Sequence, residues 1–119
     1  MRYLTDYHVD FPPALTVLTT VTSRPLPTRI VVDAGKKAMS GDSAMPAPSG
    51  LPPMTGIKLS AEHTKIDREQ PSDVPRLGDK IEFIVGYSDT TVHLHEEIVG
   101  IRDGRIECVW RVAARGKIK

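Results

Sequence analysis

A chain of 119 residues with a single cysteine, Cys108, is long enough for one self-supporting domain that buries roughly two-thirds of its unfolded surface, and it cannot close an intramolecular disulfide. Sixteen Lys and Arg against 15 Asp and Glu give a net charge of +1, too weak a field to gather phosphate backbones, so nucleic-acid binding is not expected. With no apolar run of membrane-spanning length and no signal-peptide pattern, the expectation is a soluble cytoplasmic protein that engages no membrane.

In chain order, Ala14 to Ser23 is rich in β-branched residues and predicts a strand, as does Thr28 to Asp33 after the break at Pro25 and Pro27. Residues 34–56 mix Gly35, Gly41, Gly50 and Gly56 with Pro46, Pro48, Pro52 and Pro53; this excludes a regular ladder or a helix interior and predicts a long ordered loop or an interface segment. Ile57 to Leu59 is a short apolar stretch followed by a polar segment. Leu77-Gly78-Asp79 is a turn signal that launches Lys80 to Val85, with Ile81, Phe83 and Val85 on one face. Near the end, Asp103-Gly104 separates Glu97–Arg102 from Arg105–Val112, and this pair suits the positive φ angles of a type I′ hairpin. The second strand puts Ile106, Cys108, Trp110 and Val112 on one face, which makes Cys108 a small core residue and Trp110 a core anchor. Six or so short strands with no clear helix period predict an all-β fold, a small β-barrel or sandwich.

The segment GYSDTTVHLHEE, residues 86–97, carries the side chains best suited to chemistry. Read as a continuous strand, it puts Tyr87, Asp89, Thr91, His93 and His95 on one face, roughly 6.6 Å between alternate residues. A His-x-His pair with a nearby carboxylate then has the spacing to hold zinc, manganese or iron, with Asp89 and His93 as metal ligands. The competing reading is a solvated strand face with two ordinary histidines. His63, among polar residues, is a candidate for orienting a ligand or is simply exposed. Lys36-Lys37 reads as surface charge rather than a reactive amine, which needs a desolvated pocket. No serine elbow, phosphate loop or zinc-ribbon cysteine pair is present.

The phrases ALTVLTTVTSRP (14–25), RIVVDAGKKAMSGD (29–42), LSAEHTKI (59–66), LGDKIEFIVGYSDTTVHLHEE (77–97) and VWRVAARGK (109–117) together resemble the C-terminal domain of the D-threonine aldolase and D-serine dehydratase family. The resemblance implies an alanine-racemase-like architecture in which an N-terminal barrel binds pyridoxal phosphate and a C-terminal β-domain completes the site. A (β/α)8 barrel takes about 250 residues, so residues 1–119 correspond to the β-domain alone, without the cofactor-binding barrel. The resemblance further implies a lyase acting on D-3-hydroxy amino acids, by aldol cleavage or dehydration. It also implies a homodimer, and a divalent metal such as manganese or zinc at the substrate hydroxyl.

In that family the metal ligands are a His two residues before an Asp or Cys, ahead of a Thr-Val stretch. The matching positions here are Tyr87 and Asp89. Asp89 carries over as a ligand, whereas a neutral phenol with an unperturbed pKa of about 10 is a poor one. Either His93 or His95 then supplies the missing nitrogen, or Tyr87 takes over as a catalytic hydrogen-bonding or proton-transfer group. His95 and His63 are the substrate-binding candidates. The expected object is a severed domain of a longer enzyme, inactive alone. A free-standing β binding module and a small metal-dependent β-barrel enzyme are the alternatives.

Overall fold

The computed structural model describes residues 10–117. Met1 to Val9 and the last two residues, which the domain assignment 1–119 includes, lie outside the described residues. Among the described residues, eight strands and one short helix follow in chain order: β1 (Thr16–Leu26), β2 (Arg29–Val32), β3 (Ala47–Pro48), β4 (Met54–Leu59), β5 (Thr64–Arg68), β6 (Lys80–Ile84), α1 (Asp89–Val92), β7 (Glu97–Arg102) and β8 (Arg105–Arg111). Six form an antiparallel sheet in the order β3-β6-β1-β2-β5-β4, and β7 and β8 form a separate hairpin. Among the described residues no helix is long and apolar enough to cross a membrane.

The sheet curls because β1 divides its pairing. Thr16 to Thr20 pair with β6, whereas Val21 to Leu26 pair with β2 through two register irregularities, and such bulges bend a strand and increase its twist. Pro25 therefore does not end β1. At that point no strand pairs on the β6 side, so a residue without an N–H is tolerated. The result is a half-closed barrel whose concave face is filled by Val21, Ile30, Val32, Ile66, Ile81 and Phe83. Ile81, Phe83 and Val85 are all buried, as their alternation predicts.

Two further local expectations change. The 34–56 segment contains the two-residue β3 against β6 and the start of β4 at Met54, so Gly and Pro interrupt the ladder without excluding it. The rest of it is an ordered loop held by Met39, which is fully buried. The polar segment after Leu59 contains a central strand, β5, with Thr64, Ile66 and Arg68 facing inward. Hydropathy hides it because two of the three inward side chains are polar. Thr64 Oγ1 donates to the Ala34 carbonyl at 2.6 Å. The Arg68 guanidinium donates to the carbonyls of Val74 (2.6 Å), Ser72 (3.1 Å) and Pro27 (3.2 Å). Burial and the neighbouring Arg24 charge push the Arg68 pKa down.

The hairpin forms as expected, with Asp103 at φ 50° and Gly104 at φ 74°, both positive as a type I′ turn demands. Its apolar face is not core, however. Ile106 is 69% exposed and Trp110 56% exposed, while Cys108 is half-buried. The alternation was correct, but nothing among the described residues covers that face.

Candidate functional site

The continuous strand over residues 87–95 does not form. Ile84 ends β6, and Gly86 lets the backbone pass close under the 42–46 loop: a Cβ there would lie 2.6 Å from the Ala44 carbonyl carbon and 3.0 Å from that of Met45. The chain then turns into α1, where the Ser88 carbonyl accepts from the N–H groups of Thr91 (3.1 Å) and Val92 (2.8 Å). Asp89 in the first turn suits the local dipole. Helical spacing scatters what a strand would have aligned. Thr90 and His93 turn to one groove and Val92 and His95 to another, while Thr91 is buried.

The Thr91 hydroxyl donates to the Tyr87 carbonyl at 2.9 Å and accepts from the Ser40 N–H at 3.3 Å, tying α1 to the ordered loop. A second tie runs from His95 Nε2–H to the Ala38 carbonyl at 2.6 Å; a carbonyl can only accept, so the neutral ring keeps its lone pair on Nδ1. His93 likewise faces the Asp89 carbonyl through Nδ1 at 3.1 Å, which leaves Nε2 as its free nitrogen. At the far end, Arg115 Nε donates to the His93 carbonyl at 3.1 Å and Arg115 Nη1 to Glu96 at 3.3 Å. The sequence signal for these two backbone ties was weak, because both acceptors are main-chain carbonyls.

Tyr87 and Asp89 do come together: the phenol donates to Asp89 Oδ2 at 2.8 Å, and Ser88 Oγ donates to Oδ1 at 3.3 Å. Asp89 and His93 meet only through the Asp89 main chain. His63 is exposed on the β4–β5 turn, beside the Lys37–Glu62 ion pair of 2.8 Å. No hydrogen bond or ion pair joins it to Asp89, His93 or His95. The Lys37 hydrogen bond and charge hold the Glu62 carboxyl below its ordinary pKa, with His63 adding a little.

A metal does not fit this donor set. Among the described residues no group of three His, Cys, Asp or Glu side chains has the arrangement to hold an ion, and the Asp89 oxygens already accept from two hydroxyls. Pyridoxal phosphate does not fit either, since every described lysine is exposed or half-buried and a Schiff-base amine needs a desolvated pocket.

A curled antiparallel half-barrel carrying a short helical turn at one end of its sheet is the architecture of the C-terminal β-domain of alanine-racemase-like enzymes. The family model described as "Putative serine dehydratase domain" matches residues 14–101. The chain belongs to this D-threonine aldolase and D-serine dehydratase family of pyridoxal-phosphate-dependent D-amino-acid lyases. It is similar to the 3-hydroxy-D-aspartate aldolase of Paracoccus denitrificans, with 42% identity over 87% of this chain and 26% of that protein. It also resembles a D-threonine aldolase of Arthrobacter, with 36% identity over 93% of this chain and 29% of that protein. The chain thus spans between a quarter and a third of these relatives. The crystal structure of D-threonine aldolase from Filomicrobium marinum superposes with a TM-score of 0.86 at 34% identity, over 93% of this chain and 30% of that one. An alanine-racemase-like protein from Idiomarina loihiensis, at 20% identity and a TM-score of 0.59 over 81% of this chain and 30% of that one, shares the fold. An uncharacterized protein of Mycobacterium bovis, 30% identical, is matched over 85% of its own length.

Proposed function

We propose that this β-domain completes the active site of a lyase acting on D-3-hydroxy amino acids, with Tyr87 as its catalytic group and Asp89 as the partner that holds and relays its proton. The observation that carries the reading is the 2.8 Å hydrogen bond from the phenol to the carboxylate. This bond directs the phenol's own proton at Asp89, so that the Tyr87 hydroxyl and the carboxylate act as one relay. In aldol cleavage the Tyr87 phenol takes the substrate hydroxyl proton as the Cα–Cβ bond breaks and the aldehyde departs, while its own proton passes to Asp89. In dehydration the same relay runs backwards and delivers a proton to the departing hydroxyl. General acid–base assistance of this kind contributes about 10²- to 10⁴-fold. Pyridoxal phosphate, which a separate barrel would hold, would supply the electron sink for the cleavage.

The names of the relatives from Paracoccus and Arthrobacter support a 3-hydroxy amino acid as substrate, and a cytoplasmic homodimer is part of the proposal. The exposed face of β7 and β8, with Ile101, Ile106 and Trp110 beside Leu18 of β1, supports docking onto that barrel. Contiguous apolar patches of this kind mark interfaces. His95 lines the cleft at this face and is the substrate-contacting histidine of the proposal; His63, exposed on the β4–β5 turn and outside that cleft, is the weaker choice. The test is steady-state turnover of the protein that joins this domain to its barrel, measured as aldehyde or keto-acid release. Tyr87→Phe and Asp89→Asn should each lower kcat at least a hundredfold with the protein still folded. Full activity in both variants sinks the assignment.

A second reading is a β-module working in trans, without a covalently attached barrel. It is supported by the Mycobacterium bovis relative, which has similar extent.

A further inference from the structure

A groove of about 510 Å³ lies between the ordered loop, β4 and α1, on the side of α1 that carries Thr90 and His93. Its charge is unbalanced. Lys36 and Lys58 both line it, and Asp42 is its one carboxylate, with no ion pair to either lysine within 4 Å. Elsewhere Lys37 pairs with Glu62 and Lys65 with Asp67. Lys58 also stands directly opposite Lys65 across the β4–β5 ladder, a like-charge placement that is unfavourable unless a counter-charge is near. Asp67 answers Lys65 at 3.3 Å; among the described residues no carboxylate answers Lys58.

Three further features suit a ligand with an acidic head and an apolar body. β4 is the open edge of the sheet, so its outward backbone groups have no strand partner. His93, with Nδ1 on the Asp89 carbonyl, adds a polar ring to the groove lining. Met45 and Leu94 supply an apolar wall. A phosphate cradle is normally built from backbone N–H nests, arginine forks or a long helix N-terminus, and this groove has none of them.

We infer that the groove binds a small aliphatic carboxylate, its head between Lys36 and Lys58 and its chain against Met45 and Leu94. Neither Tyr87 nor Asp89 lines the groove, and the inference does not depend on the lyase reading. The probes are butyrate and inorganic phosphate, titrated into the isotopically labelled 119-residue chain at fixed ionic strength and followed by amide chemical shifts. Butyrate should give saturable shifts at Lys36, Lys58 and His93. Lys36→Gln with Lys58→Gln should weaken it at least tenfold. Arg105→Gln with Lys117→Gln, the same charge loss elsewhere, should change it less than twofold. The inference fails if butyrate shifts do not saturate or if the control pair weakens binding equally. It fails also if phosphate binds as tightly as butyrate, since charge alone would then account for the shifts.

Discussion

Replacing Gly86 by alanine tests how the fold sets Tyr87 in place. The new Cβ would sit 2.6 Å from the Ala44 carbonyl carbon and 3.0 Å from that of Met45, against about 3.5–4.0 Å for relaxed carbon contacts. The Ala44 carbonyl oxygen lies nearer still and all the opposing atoms are backbone, so no rotamer change relieves the clash and the 42–46 loop must move away by at least about 1 Å. Overpacking of this kind costs about 1–3 kcal/mol, and the absence of a side-chain escape puts Gly86→Ala near the top. Reduced freedom of the unfolded chain returns about 0.4–1 kcal/mol, leaving a net loss of about 2 kcal/mol. Gly56 supplies the control: its added Cβ would meet only Asp67 Oδ2, at 4.0 Å, so Gly56→Ala should keep the entropic gain alone. In urea, with a slope of about 1–3 kcal/mol/M, the two variants should move the midpoint in opposite directions, Gly86→Ala downward by roughly 1 M. Equal midpoints for the two variants would refute the argument that close backbone approach requires glycine at 86.

Thr64→Val keeps shape but strips the donor from the buried Ala34 carbonyl; a loss of about 1–3 kcal/mol should appear in thermal unfolding, and an unchanged melting temperature would mean that water satisfies the carbonyl. The Asp67 carboxyl is held below its ordinary pKa, first by its hydrogen bond from Arg29 and also by Lys65. Its contribution to stability is therefore complete above the unfolded-state pKa and is lost as pH falls through the lower folded value. Asp67→Asn should flatten that part of the acid limb in a plot of unfolding free energy against pH, and an unaltered limb contradicts the ion-pair account. Ile106→Ser, at a side chain 69% exposed, should cost the isolated chain less than about 1.5 kcal/mol yet, on the proposed docking, weaken association with a barrel partner at least tenfold. Loss of stability without loss of association would point to a packing role instead.

The sequence by itself determined the strands whose inward residues are apolar and the turn that needs special backbone angles. Ile81, Phe83 and Val85 alternate into the core, and Asp103-Gly104 closes the hairpin, because period and turn chemistry are local properties. It also placed Tyr87 and Asp89 as the residues to examine, and two positions are close enough in the chain for their hydrogen bond to be local too. Tertiary structure decided the rest. β5 escaped the hydropathy pattern because Thr64 and Arg68 are buried against carbonyls from other segments, which no window around residue 64 contains. Pro25 stays in β1 because the neighbouring strand stops before it. The row from Tyr87 to His95 broke into a helical turn because Gly86 passes beneath Ala44 and Thr91 is pinned to Ser40, and with the strand went the metal-ligand face. Whether the Trp110 face is core or surface depends on what packs against it, and alternation specifies that a face is apolar without specifying its partner.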